Sequence, residues 1–537
     1  MSRMTGAEVL IESLSREGVE VIFGIPGVQI MELLDTFYRS RKVDWITVRH
    51  EQSAAFMAFG YARTTGKVGV AMVVPGPGAL NTCTAIGTAY ATSTPVLLLA
   101  GQIDRPSLGK NRGVLHEVTE QLDVFRPITK WNKRITKVTD IPGTLQTAIH
   151  QLKTGRPRPV EVEIPFDLWS IKDEVQFNET ASDTSEPINR AQIKEAAALL
   201  TKAERPIIWA GGGLITSNAT EELRQLAEQV NSPVVMTAEG KGTISSNHPL
   251  AAGSANYKSN SILHKADLII CLGTRFLPEQ PIKSEVSAEL KVIQIDIDDE
   301  EVGRNWPVDL GIVADVRSAL AALLEELPES NKSQWKTAEI EGIKTSLMTR
   351  MEEAAPIQTS LIRDIRNELK DDDILIPGIT NLGYWSHEVY PVYKPRTYLT
   401  SSYFVTLGYA FPTALGAKVG NPSRQVVAIS GDGGFLFAVG DLATAVQLGL
   451  NVVTIVFNDG TYGATYRIQR QRYESRIIGT ELQNPDFAAL AESFGARGIR
   501  LSDHKELKGA LHSALAEDGP VVIEVPISNM VVPWEVL

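Results

Sequence analysis

Asp432 and Asp459 are the two side chains in this 537-residue chain best placed to do chemistry together. Each lies in a glycine-bearing turn directly after an apolar, strand-like run. Gly431-Asp432-Gly433-Gly434 follows Gln425 to Ser430, and Asn458-Asp459-Gly460-Thr461-Tyr462-Gly463 follows Asn451 to Phe457. The periodicity between them predicts one amphipathic helix, roughly Phe435 to Leu448. That is a βαβ unit with a carboxylate at the carboxyl end of each strand, where open α/β sheets line their ligand crevice. Two such carboxylates suit one hard cation. The backbone amides of Gly433 and Gly434, at a helix start, suit phosphate oxygens. The chemistry implied is a metal-bridged diphosphate.

These turns need rigid sheets behind them, and the rest of the chain supplies the patterns. Segment 1–170 alternates helical and strand-like stretches, with fully apolar runs at Val68 to Val74, Thr94 to Leu99 and Val160 to Ile164. Segment 171–190 is polar and acidic and reads as a linker. Segment 191–327 repeats the α/β pattern, and its strand Pro206 to Ala210 ends in Gly211-Gly212-Gly213. Segment 328–357 is charged and helix-prone, a second connection, and 358–537 forms the third unit. The fold class expected is α/β, with three consecutive doubly wound parallel-sheet domains.

Composition narrows the function. A formal net charge of −12 argues against a nucleic acid partner. The longest apolar stretch, Val68 to Ala100, is broken by Pro75-Gly76-Pro77-Gly78, so buried strands are expected there and no membrane span. Cys83 and Cys271 are the only cysteines and lie in apolar runs. They are expected to be buried thiols of a reducing, cytoplasmic compartment. The first residues lack the apolar core of a signal peptide.

GDG alone is a common turn. A second acidic turn, Asn458-Asp459, follows Asp432 at a distance of 27 positions (459 − 432) and strands precede both. Together these resemble the diphosphate motif of thiamine diphosphate (ThDP) enzymes. Val48-Arg49-His50-Glu51-Gln52, followed by Gly60-Tyr61-Ala62-Arg63, is similar to that family's pyrimidine-domain signature. The resemblance covers nearly the whole chain and is to the acetolactate synthase, benzoylformate decarboxylase and benzaldehyde lyase branch. It implies a pyrimidine-binding domain (1–170), a central domain (191–327) and a diphosphate-binding domain (358–537).

The family's residues carry over position by position. Asp432 and Asp459 would bind Mg2+ through carboxylates and Thr461 through its carbonyl; most relatives have Asn in place of Asp459. Glu51 would hold the aminopyrimidine N1′ and drive acid–base catalysis through the cofactor, serving a site completed by another subunit of a homodimer or homotetramer. Val405 would offer its carbonyl to the 4′-amino group, and Leu407 would wedge between the cofactor rings. Tyr403 and Val405 depart from the glycines common there. Thr380 and Asn381, with Gly431, Gly433, Gly434, Tyr462 and Gly463, complete the cofactor-binding set. His116 and Gln29 align with positions that face the reacting carbon; a histidine can donate or accept a proton near neutral pH. Gln102 is a weaker candidate of the same kind.

The reaction implied is carbon–carbon lyase or carboligase chemistry on 2-oxo acids, 2-hydroxy ketones or aldehydes. Acetolactate synthases place an arginine a few residues after an Arg-Phe pair; here Arg275-Phe276 is followed by Glu279. Their acceptor-discriminating tryptophan is replaced by Ile468. Tyr403, Phe404, Tyr466 and Ile468 are expected to form an apolar pocket. These departures favour decarboxylase or lyase chemistry. The alternatives are an acetolactate synthase that condenses two pyruvates, using Lys283 or Arg467 as the cation, and a non-catalytic regulatory subunit. The glycine run at 211–213 leaves FAD possible in the central domain.

Overall fold

The computed structural model describes residues 2–177, 188–256, 260–276, 290–329, 333–528 and 530–536. They divide into two compact units. One comprises Met1–Asp183, Gly378–Thr380 and Ser401–Ile527; the other comprises Thr184–Pro377, Asn381–Thr400 and Ser528–Leu537.

The first unit contains two parallel sheets. In one, the strands run Asp44–Thr47, Val21–Gly24, Gly69–Val73, Val96–Gln102, Val160–Pro165, Trp131–Arg134. The central strands are buried on both faces, which explains their unbroken apolar runs. In the other, Val426–Gly431, Val452–Asn458, Val521–Pro526 and Arg497–Arg500 neighbour one another in that order. Two buried helices, Glu51–Thr65 and Ala410–Gly420, cross with unusually small residues between them. A Cβ on Gly60 would strike the Thr413 carbonyl oxygen, and one on Gly416 would strike that of Met57. This reciprocal pair lets the two backbones touch, and it explains why Glu51–Thr65 has a nearly uniform apolar surface.

The second unit holds the strands Ala251–Ser254, Val234–Met236, Pro206–Ala210, Leu268–Leu272, Lys291–Asp296 and Leu310–Val313, all parallel. Numbered along the chain the order is 3-2-1-4-5-6, that of dinucleotide-binding sheets. Around it packs a core that includes Ile208, Trp209, Ile270 and Ile293. The three large sheets are parallel α/β layers, as expected, and a fourth sheet of two strands is antiparallel. Among the described residues no helix is long and apolar enough to cross a membrane.

Three expectations need correction. The single helix Phe435 to Leu448 is broken: Asp432–Leu436 and Leu442–Gln447 are separated by a 3-10 turn, Val439–Asp441. Asp441 is buried there, its carboxylate turned back toward Arg49 and Thr444, and this replaces helix continuity. The linker 171–190 begins as structure, because Lys172–Val175 pairs antiparallel with Ser2–Thr5; residues 178–187 lie outside the described set. Cys271 is a buried free thiol, but Cys83 is only half-buried.

Candidate active site

Strand register sets the acidic pair. Gly431 lies opposite Phe457, so Asp432 emerges beside Asn458, one residue before Asp459. The Asp432 side chain is almost fully buried. Its Oδ1 accepts from the Gly433 amide at 2.8 Å, and its Oδ2 accepts from the Gly460 amide at 2.9 Å and from Asn484 Nδ2 at 2.7 Å. Burial pushes the Asp432 carboxyl above its ordinary range, and the nearby Asp459 charge adds to that. Asp459 Oδ1 accepts from both the amide and the hydroxyl of Thr461, at 2.9 and 2.8 Å, which ties the turn into one piece. Among the described residues no cluster of three His, Cys, Asp or Glu side chains is arranged to hold a metal. A cation at this pair would therefore need backbone and ligand oxygens to complete its shell.

The glycines differ in why they are glycine. A Cβ on Gly433 would lie 2.6 Å from the Tyr462 ring, so that position is spent on packing the two turns together. Gly434 is buried too but less tightly packed, the nearest neighbours to a Cβ being Ser430 Oγ at 3.5 Å and the Gly408 amide at 3.8 Å. The Gly433 amide faces Asp432, and the Tyr462 amide donates to the Thr480 carbonyl, so these two amides are already engaged. Thr380 sits beside Gly431, its side chain 3.4 Å from where a Cβ would stand. Asn381 belongs to the second unit, where its amide donates to the carbonyls of Met530 and Val531.

In the other sheet the candidates gather on loops leaving the carboxyl ends of strands. Glu51 opens the helix Glu51–Thr65, which His50 caps by accepting from the Gln52 amide through Nδ1. The Glu51 carboxylate accepts from Asn81 Nδ2 at 3.0 Å. Gln29 Nε2 lies 3.2 Å from His116 Nδ1, so these two candidates meet directly. Gln29 Oε1 is buried and has no partner among the described residues. Trp169 anchors the Gln29 backbone through its indole N–H at 2.8 Å. His116 adopts φ +67°, a left-handed conformation uncommon outside glycine. Gln102 instead serves the interior: its Nε2 donates to the buried Glu163, and its Oε1 accepts from the Ile103 amide.

The segment Ser402–Gly408 explains why glycines are common there. Val405 has φ +50° and Ser402 φ +51°. For a β-branched residue this conformation carries strain. Leu407 is half-buried just ahead of the helix Ala410–Gly420. Tyr403, Phe404 and Ile468, expected to line an apolar pocket, are 56%, 42% and 43% exposed in the single chain. Tyr466 lies under the Arg470 guanidinium. Glu279 and Lys283 lie outside the described residues.

Comparison with known proteins decides what these loops belong to. Residues 4–124 match the thiamine pyrophosphate enzyme N-terminal TPP binding domain, 193–323 the central domain and 378–525 the C-terminal TPP binding domain. This chain belongs to the thiamine diphosphate-dependent enzymes. It is 35% identical to a probable acetolactate synthase large subunit of Methanocaldococcus jannaschii, over 98% of this chain and 92% of that one. It is 34% identical to the acetolactate synthase large subunit of Corynebacterium glutamicum, over 99% and 88%. The corresponding Lactococcus lactis subunit is 32% identical, over 98% and 93%.

For a ThDP-dependent enzyme the donor set fits. Two carboxylates at neighbouring strand ends suit a divalent cation, and the helix start at Asp432–Leu436 suits a phosphate group. The central glycine run has a packing explanation of its own. A Cβ on Gly211 would strike the Gly273 carbonyl oxygen, and one on Gly213 would lie 2.6 Å from Gly273 Cα. The run is thus no independent sign of FAD.

Sequence reasoning missed Asn484, Asn81 and Asp441. Asn484 bridges Asp432 and Asn458, at 2.7 and 3.0 Å. Its only signal is Asn484-Pro485-Asp486, which reads as an ordinary helix approach.

Proposed function

We propose that the enzyme is a ThDP- and Mg2+-dependent carboligase of the acetolactate synthase type, joining two 2-oxo acids with loss of one CO2. The observation that carries this reading is similarity to acetolactate synthase large subunits along almost the entire chain. It favours what the motif departures at Glu279 and Ile468 had made the second choice. Those departures bear on which acceptor is taken.

Bound ThDP supplies a nucleophilic carbon and an electron sink for the pair released as the donor loses CO2. Asp432, Asp459 and the Thr461 carbonyl would hold Mg2+ beside the diphosphate, with the Gly434 backbone on the same turn. Thr380 and Gly431 would flank that end, with Asn381, Tyr462 and Gly463 nearby in the chain. Glu51, oriented by Asn81, would hold a proton at the pyrimidine N1′. The Val405 carbonyl would accept from the 4′-amino group, and Leu407 would keep the rings apart. His116, positioned by Gln29, moves a proton at the reacting carbon.

The active unit is a homodimer or larger, with Glu51 serving a partner's diphosphate loop. In support, Val28 and Leu115, neighbours of Gln29 and His116, are 75% and 64% exposed in the single chain.

NMR analysis of products from pyruvate, benzoylformate and benzaldehyde, with ThDP and Mg2+ present, tests the reaction. Acetolactate from pyruvate supports it. Benzaldehyde from benzoylformate with no acetolactate returns the assignment to the decarboxylases, the reading that Ile468 favours. Mixing inactive Glu51→Gln and inactive Asp432→Asn subunits tests the shared site; recovery of activity is expected only if the two residues serve one site from different chains.

A further inference from the structure

The short segment carrying Glu51 is gripped from the diphosphate side of its own chain. The helix Leu442–Gln447 and the turn before it present Asp441, Thr444 and Gln447 along one face, each three residues from the next. Asp441 Oδ1 accepts from the Arg49 amide at 2.8 Å. The Ser53 hydroxyl donates to the same carboxylate, and so does Thr444 Oγ1, at 2.8 Å. Gln447 Oε1 accepts from the Arg49 guanidinium at 2.8 Å. Arg49 and Ser53 lie two residues before and two after Glu51.

We infer that Asp441 is a positioning residue for Glu51, fixing the first turn of the helix Glu51–Thr65 so that the Glu51 carboxyl is presented at one angle and depth. The inference rests on the reading of Glu51 given above. Asp441 is buried and takes donors from three residues on two elements, so removing it unlatches both flanks of Glu51 together. Asp441 also ends the segment that begins nine residues earlier at Asp432, the helix Asp432–Leu436 and the turn Val439–Asp441. If Glu51 serves a partner's cofactor, then the loop holding one cofactor and the acid serving the other are joined through Asp441.

Amide hydrogen exchange on the cofactor-free protein tests the latch without turnover. Asp441→Ala is expected to speed exchange across residues 47–56 by at least roughly tenfold, with Val96–Gln102 and Val452–Asn458 unchanged. Pyruvate turnover with ThDP and Mg2+ is then measured for Asp441→Ala, Glu51→Gln and the double variant. Asp441→Ala alone should lose roughly ten- to hundredfold in kcat, with ThDP affinity held within about twofold. In the Glu51→Gln background it should cost little more. Asp441→Asn, which keeps an acceptor for the Arg49 amide, should recover most of the loss. Unchanged exchange at 47–56, or losses that add in full, overturns the inference. A fully active Glu51→Gln removes the reading of Glu51 and this inference with it. An inactive Glu51→Gln beside a normal Asp441→Ala removes only this one.

Discussion

Gln29 and His116, 87 positions apart in the chain, meet side chain to side chain at 3.2 Å between Nε2 and Nδ1. With the amide nitrogen donating, neutral His116 carries its own proton on Nε2, the atom left to face a ligand. Both Gln29→Leu and His116→Ala should lower turnover by roughly ten- to hundredfold. The double variant should lose little beyond the worse of the two. Steady-state kinetics on the four proteins checks this, and fully additive losses would separate the pair.

If the acidic pair holds the cation as proposed, cofactor binding depends on pH. A proton on Asp432 competes with the cation, and because burial and the Asp459 charge hold that carboxyl above its ordinary range, competition extends into mildly acidic solution. Mg2+ affinity, titrated calorimetrically in the presence of ThDP, should therefore weaken as pH falls from 8 toward 5.5. Asp459→Asn should weaken binding by about tenfold at neutral pH by removing one full charge. It should also reduce the pH dependence, since Asp432 then loses the neighbour that raises it. Unchanged affinity in Asp459→Asn would mean that the extra charge adds nothing to cation binding.

Val405 offers a stability test at the same site. In its left-handed conformation a β-branched residue costs about 1–3 kcal/mol. Glycine relieves that cost but gives back roughly 0.5–1 kcal/mol through the freer unfolded chain. Val405→Gly should raise the melting temperature or leave it unchanged, while Val405→Ile gains nothing. A clear drop in thermal unfolding of the glycine variant would contradict the strain.

The glycine crossing predicts the opposite sign. Gly60→Ala or Gly416→Ala puts a methyl group into a neighbouring carbonyl and should cost about 1–3 kcal/mol. Denaturant unfolding measures it, and a loss below 0.5 kcal/mol, on the order of a surface substitution, would mean the helices separate easily.

Glu161 adds an alkaline weakness. It is fully buried, and neither carboxylate oxygen has a partner among the described residues. Burial, then the charge of Glu163, hold its pKa well above normal. A carboxyl raised in the folded state keeps its full contribution below its unfolded pKa and loses it as pH rises through the folded value. The isosteric Glu161→Gln should flatten the fall in melting temperature as pH rises above the ordinary glutamate range. An unchanged slope would mean that another group sets it.

Much of the frame was legible in the amino-acid pattern, for physical reasons. Strands such as Val426–Gly431 and Val452–Asn458 are buried on both faces, so they read as unbroken apolar runs, and the turns after them had to surface as glycine and aspartate. What stayed hidden depends on contacts distant in sequence. The break at Val439–Asp441 is set by Arg49, almost four hundred positions away. Asn81 shows its role only beside Glu51, and Asn484 only beside Asp432. The left-handed turn at Val405 could not be read from composition, because the residue that normally announces it is absent.

The antiparallel pairing of Ser2–Thr5 with Lys172–Val175 has a consequence for biogenesis. The amino-terminal strand is made first, but its partner leaves the ribosome only after about 170 further residues, roughly 10–35 s at ordinary translation rates. Until then Ser2–Thr5 has no strand to pair with, so the domain around it cannot finish folding until Val175 has emerged. A translational pause that leaves residues 172–175 inside the exit tunnel would hold this half open, whereas one well downstream of their emergence would find it already clasped.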